Sequence, residues 1–171
     1  MDDAHFVALP MDEARAPVRA ADVARLRREL ESEGFVVGDA AGALEVTAAD
    51  LSAEVSLDDD WTVHVRVPAR SIDVVRDAVA GRAAVERLMR LAGVVCDVAQ
   101  AYVGFVSTDE GDDLSFVTET PPFVLTAPLA LVALGPRYLA DSGVPGFAAG
   151  ADLDVTVRGA RVIVLSLSAL A

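Results

Sequence analysis

Apolar and polar residues alternate most regularly between positions 51 and 67. The apolar positions in the first half are Leu51, Ala53, Val55 and Leu57, and those in the second half are Trp61, Val63, Val65 and Val67. A period of two is typical of a strand with one buried face. Because Asp58, Asp59 and Asp60 separate the two halves, the pattern predicts a β-hairpin with a three-residue acidic turn.

The pattern also indicates a register for this hairpin. If Leu57 lies opposite Trp61, all the apolar side chains share one face of the hairpin, and Glu54 lies opposite His64 on the other. We therefore expect Trp61 and Val63 to point inward and His64 to point outward.

Helical spacing follows in three places. Residues 17–33 repeat apolar side chains at intervals of three and four and end before Gly34. Ser71 is the expected N-cap of a second helix. Residues 83–98 are apolar on more than one side, which predicts a central helix with Leu88 and Leu91 buried.

The remaining segments complete an α+β prediction. Short strands are expected at residues 35–37, 44–46, 101–107, 114–117, 153–157 and 161–167, and a short helix from Pro136 to Ala140. Residues 123–134 are apolar and fit either a helix or a strand. Residues 1–16 resemble a flexible leader. We predict one domain over residues 1–171, in which a mainly antiparallel sheet packs against two or three helices.

The net charge of the chain indicates which classes of macromolecule it can bind. The chain carries 27 acidic and 14 basic residues, a formal net charge of −13, which repels nucleic acid and anionic membranes and attracts basic proteins. All the basic residues are Arg, and Lys and Asn are absent. A GC-rich genome explains this composition, and adaptation to high salt is the alternative. Without a signal-peptide pattern or an apolar run of roughly 20 residues, the expected location is the cytoplasm.

The reactive side chains do not form a recognisable catalytic or metal-binding motif. Two His and one Cys cannot supply a zinc set, and the single Cys96 cannot form an internal disulfide. The Glu54–His64 pair has the chemistry of a general base. It leaves open a small enzyme or a ligand-binding domain on that sheet face. A regular strand face offers no oxyanion donors, however, so we expect no enzyme, no metal and no cofactor.

Acidic residues are concentrated at two predicted turns. One turn holds Asp58, Asp59 and Asp60, and the other holds Asp109, Glu110, Asp112 and Asp113. Turns are commonly polar and solvated. The alternative is that these side chains form a docking edge that steers a basic protein partner.

The C-terminal part of the chain, over about residues 70–171, resembles the immunity protein 52 family of bacterial polymorphic-toxin systems. The resemblance lies in a long helix that leads into Ala101-Tyr102-Val103-Gly104-Phe105 and an acidic turn. It continues in Leu134-Gly135-Pro136-Arg137-Tyr138-Leu139, Gly143 and the hairpin from Val155 to Leu167. It implies a small cytoplasmic protein that binds and blocks a cognate toxin, a nuclease. The other hypotheses are the small enzyme or ligand-binding domain and a self-associating structural or regulatory subunit.

Overall fold

Nine antiparallel strands form one sheet in the computed structural model, which describes residues 3–10, 15–77, 81–107, 130–142 and 153–166. The strands are β1 (Ala4–Pro10), β2 (Val36–Ala40), β3 (Ala43–Ala48), β4 (Leu51–Leu57), β5 (Val63–Val67), β6 (Ala101–Ser107), β7 (Ala130–Leu134), β8 (Leu153–Arg158) and β9 (Arg161–Ser166). The helices are α1 (Ala20–Ser32), α2 (Ala69–Arg76), α3 (Gly81–Ala99) and α4 (Pro136–Ser142). The strand order is β2-β3-β4-β5-β1-β6-β7-β9-β8. The α+β class is confirmed, with four helices among the described residues where two or three were predicted.

Strand β1 lies in the middle of the sheet, between β5 and β6. The prediction of a flexible leader is therefore wrong for residues 4–10. Phe6 and Ala8 are buried on the helix side, while Val7 and Leu9 are half-buried on the other. A central strand with apolar residues on both faces shows no clear alternation of apolar and polar positions, so β1 could not be predicted from this pattern.

The β4–β5 pairing differs from the predicted register by two residues. Leu57 lies opposite Val63, and Glu54 lies opposite Arg66. A shift of two keeps every side chain on its predicted face, so Val63 is buried and His64 exposed as expected. Trp61 is also buried, but it belongs to the turn, where its φ is +71° and its indole N–H donates to the Ala16 carbonyl at 2.8 Å. The turn spans Asp58 to Thr62, where the Asp58 N–H donates to the Thr62 carbonyl at 2.9 Å, so it is two residues longer than predicted.

Helix α3 forms the centre of the core and packs on β1, β6, β7 and β9. Leu88 and Leu91 are buried as predicted, and Cys96 on the same helix is buried too. The helix lies close to the sheet because Gly104 has no side chain. A Cβ there would lie 2.5 Å from Phe6 Cζ and 2.9 Å from Cys96 Sγ.

The start of α2 is held by a residue distant in sequence. Ser71 is not its N-cap, since that position belongs to Pro68. The buried Ser71 hydroxyl instead accepts the Ser52 N–H at 3.0 Å. Asp3 supplies the missing acceptor, because its carboxylate accepts the Ala69 N–H at 3.0 Å.

The sheet face away from α3 has two halves. Over β2–β5 it is polar and exposed, and we call this half the open face. Over β6 and β7 it is apolar and packs on α4, in a cluster of Val103, Phe105, Val132, Leu134 and Tyr138. The predicted helix at 136–140 and the C-terminal hairpin are confirmed. Within the ambiguous segment, residues 130–134 form a strand. The predicted strand at 114–117, residues 123–129 and Gly143 lie outside the described residues.

Candidate functional site

The acidic turn between β4 and β5 is exposed, as predicted. Asp60 accepts the Thr62 N–H at 2.9 Å, and this hydrogen bond lowers the pKa of the Asp60 carboxyl. Asp58 contacts His64, with 3.2 Å between carboxylate Oδ2 and imidazole Nε2. The Asp59 carbonyl accepts the Val18 N–H at 3.2 Å. The turn backbone is therefore held at Asp59, and the carboxylates of Asp58 and Asp60 each have a contact within the hairpin. Asp109, Glu110, Asp112 and Asp113 lie outside the described residues.

The open face carries further acidic side chains on the strands next to the acidic turn. Glu45 and Glu54 lie directly opposite one another on β3 and β4, and both are exposed. Arg66 contacts Glu54 at 3.2 Å and Asp3 at 2.8 Å. We name Val36, Glu45, Glu54, Asp58, Asp59 and Asp60 the acidic face. Five carboxylates therefore meet solvent beside a single Arg.

The Glu54–His64 pair that sequence reasoning proposed does not form. Glu54 contacts Arg66, and His64 contacts Asp58. The His64 side chain is 49% exposed and lies on a strand face. Among the described hydrogen bonds, none joins a hydroxyl to its imidazole. A His–Asp contact without a positioned nucleophile orients the imidazole but activates nothing.

A second site was not expected from the sequence. A cleft of about 470 Å³ lies at the C-terminal end of α3, next to the start of β6, the start of α4 and the β8–β9 turn. Four of the residues that line it are arginines and one is acidic, Asp97. We name it the arginine cleft. Its arginines are Arg15, Arg137, Arg158 and Arg161.

Arg161 forms the floor of the arginine cleft and is 4% exposed. Its guanidinium donates to Asp97 Oδ1 at 3.1 Å, to the Ala101 carbonyl at 2.9 Å and to the Cys96 carbonyl at 3.1 Å. Arg15 donates to the Ala99 carbonyl. The last turn of α3 has no basic residue of its own. Two arginines from distant segments therefore donate hydrogen bonds to carbonyl groups at the C-terminal end of α3, and their positive charge complements the helix dipole.

Arg158 forms one wall of the cleft, and two carboxylates hold its guanidinium group. It donates to Asp97 Oδ2 at 2.7 Å and lies 2.8 Å from Glu33 Oε1, and these two carboxylates raise the pKa of Arg158. The side chain crosses α3 at Gly93, where a Cβ would lie 2.7 Å from Arg158 Cδ. A glycine in the middle of a helix is costly, and here it gives Arg158 its path.

The remaining wall comes from Arg15 and Arg137. The Arg15 guanidinium carbon lies 3.5 Å from the centre of the Trp61 ring, a cation–π contact that also links the cleft to the acidic turn. Arg137 is exposed, on the first turn of α4. A sequence signal for this site did exist. The residues that flank the two-residue turn of the last hairpin are both arginines, Arg158 and Arg161, and lie opposite one another. Like charges in that position require an acidic partner.

A metal centre and a reactive thiol were also sought within the described part of the chain. It contains no cluster of His, Cys, Asp and Glu that could hold a metal ion. Burial raises the pKa of the Cys96 thiol to about 12, so this group stays protonated at neutral pH. Among the described helices, none has the length and apolar character of a membrane span.

Comparisons with protein-family models, with curated proteins and with solved structures find no match to this chain. The resemblance to the immunity protein 52 family therefore stays a hypothesis that the sequence alone supplies. What the protein does has to be inferred from its two charged surfaces.

Proposed function

We propose that the protein is a toxin-neutralising immunity protein that binds a basic partner through the acidic face. The observation that carries this proposal is the acidic face, where Glu45 and Glu54 on the strands and Asp58, Asp59 and Asp60 in the adjoining turn are all exposed. Both Glu45 and Glu54 lie on paired strands, so the backbone that carries these carboxylates is fixed before a partner arrives. Preorganised charge reduces the entropic cost of association.

The balance of charge favours a basic protein over other occupants. A net charge of −13 repels the phosphate backbone of nucleic acid. A nuclease needs a basic surface to hold its own substrate, and an acidic protein complements that surface. Charge complementarity of this kind raises association rates and makes them depend on salt.

The open face also offers an apolar contact. Val36 is 71% exposed at the edge of the sheet, opposite Thr47 and two register positions from Glu45 on the same face. Interfaces gain most of their affinity from a few desolvated apolar or aromatic contacts, and surrounding charges supply orientation. We expect Val36 to lie inside the interface and the Asp58–Asp60 turn to lie at its rim.

The test compares two variants with the same change in charge. The turn variant carries Asp58→Arg, Asp59→Arg and Asp60→Arg. The control carries Glu29→Arg, Glu31→Arg and Glu86→Arg, three exposed helical positions in α1 and α3. Immobilised wild type and both variants are used to capture partners from the native host, and the association rate is measured by stopped flow at several salt concentrations.

We expect a basic protein to be captured by the wild type and the control but not by the turn variant, with association slowing as salt rises. Loss of capture by both variants would show that only net charge matters and would exclude the acidic face. A captured partner whose toxicity or nuclease activity is unaffected by the protein would contradict the immunity function while leaving the interface intact.

A further inference from the structure

We infer that the arginine cleft is a binding site for a compact, multiply charged oxyanion, a small molecule that carries phosphate groups or several carboxylates. This inference goes beyond the proposed function and does not rest on it. It is based on the cleft's charge, on the donors that remain available in it and on its size.

The local charge is opposite to that of the whole protein. Four guanidinium groups line the cleft against the single carboxylate of Asp97. If Glu33 and Asp141 are counted as well, because they contact Arg158 and Tyr102 from outside the cleft, one positive charge remains. Placing like charges together is unfavourable unless an anion neutralises them, and a guanidinium fork matches phosphate and carboxylate oxygens in pairs.

Structural roles do not account for all four arginines. Arg15 and Arg161 satisfy carbonyls at the end of α3, and Arg158 crosses to Glu33. The Arg137 side chain has no hydrogen bond or salt bridge to any residue that the structure describes. The contacts of Arg158 engage its Nε and Nη2 atoms, so its Nη1 group is available on its own wall of the cleft. These are the two groups that we expect to contact the anion.

The rest of the cleft is already arranged for binding. Asp97 holds Arg158 and Arg161 with one oxygen each, and this fixes both guanidinium groups before a ligand enters. The Tyr102 hydroxyl, also at the cleft, lies 3.5 Å from Asp141, a long hydrogen bond that a ligand oxygen can replace. A site whose donors are held by second contacts binds with less loss of entropy.

The size of the cleft indicates a ligand larger than a bare ion. Its volume of about 470 Å³ falls within the range of small-molecule pockets, about 300–1,000 Å³. A single phosphate would fill only part of it. The expected ligand therefore carries a second charged group or an organic moiety beside the first anion.

The full chain is tested by isothermal titration calorimetry with pyrophosphate and with citrate, in buffers of matched ionic strength made with sodium chloride. We expect saturable binding of at least one of them by the wild type. Arg137→Gln should weaken it about tenfold, the effect of removing one charge-assisted contact, and should leave the thermal midpoint of the unliganded protein unchanged. Arg70→Gln, an exposed arginine on α2 outside the cleft, is the matched control and should bind like the wild type.

The two probes distinguish the possible ligands. Binding of pyrophosphate alone assigns the site to a phosphorylated molecule, and binding of citrate alone assigns it to a polycarboxylate. Binding of both supports a general oxyanion site. If neither probe binds, the inference is overturned. It is also overturned if Arg70→Gln weakens binding as much as Arg137→Gln does. Loss of the acidic-face interaction in the previous experiment would not affect any of these results.

Discussion

Asp97 holds the buried guanidinium of Arg161, with 3.1 Å between its Oδ1 atom and Arg161 Nε. Arg161 is 4% exposed and the Asp97 side chain is 41% exposed, so the pair lies where the core meets solvent. The other oxygen of Asp97 holds Arg158. One carboxylate on α3 therefore fixes both ends of the β8–β9 turn to the helix.

Removal of this carboxylate should destabilise the protein. Asp97→Ala leaves Arg161 buried without its counterion, a loss that we expect to lower the free energy of unfolding by about 1–3 kcal/mol. The exposed side of Asp97 keeps the effect below that of a fully buried pair. Urea denaturation measures the change. As a control, Glu86→Ala breaks an exposed pair with Arg82 and should change stability by less than about 0.5 kcal/mol. Equal effects of the two variants would show that Asp97 has no special role.

The contact of Asp3 with the start of α2 predicts a dependence of stability on pH. Hydrogen bonding to Ala69 N–H and then to Arg66 lowers the pKa of Asp3. A carboxyl whose pKa is lowered by folding stabilises the protein fully above its unfolded value, about 3.9, and loses this contribution as the pH falls through the folded value. We expect Asp3→Asn to melt at a lower temperature than the wild type at pH 7. The difference should shrink below about pH 4. A difference that persists unchanged at pH 2.5 would contradict this origin.

The close approach of α3 to β6 at Gly104 predicts an overpacking effect. In Gly104→Ala the new methyl group meets Phe6 and Cys96, and we expect a loss of about 1–3 kcal/mol in the free energy of unfolding. Gly38→Ala is the matched control, because the nearest atom to its new Cβ is 3.8 Å away. It should change stability by no more than about 0.5 kcal/mol. If Gly38→Ala were the more harmful of the two, the assigned packing would be wrong.

The central position of α3 predicts the cost of a cavity. Leu88 is 2% exposed, and Leu88→Ala should cost about 2–5 kcal/mol. Leu88→Met retains most of the volume and should cost less than about 1.5 kcal/mol. Chemical denaturation of both variants gives the comparison. A loss below about 1 kcal/mol for Leu88→Ala, the level of a surface substitution, would show that Leu88 does not lie on the buried face of α3.

Features that depend on neighbours in the chain were predictable. The spacing of apolar residues placed α1 and α3 within a few residues of their observed limits, and Gly34, with φ at +88°, follows α1 as expected. Alternation assigned the correct face to each side chain from Leu51 to Val67. A shift of two residues leaves those faces unchanged, so the faces were right although the register was not.

Contacts between distant segments decided the rest. The turn between β4 and β5 contains Trp61, whose indole hydrogen bond reaches Ala16. Strand β1 is recognisable only from its neighbours β5 and β6, because both of its faces carry apolar residues. The arginine cleft joins Arg15, Asp97, Arg137 and the β8–β9 turn. Its net charge depends on which of these groups meet in space.

The sequence by itself determined the fold class, the local periodicity and the negative charge of the protein. Each of these is a sum over residues or a pattern within one segment, so it needs no knowledge of the fold. Only the tertiary structure decided that carboxylates gather on the open face while four arginines gather at the end of α3. Coulomb interactions act over a few ångströms between groups that lie up to 146 positions apart in the chain, as Arg15 and Arg161 do.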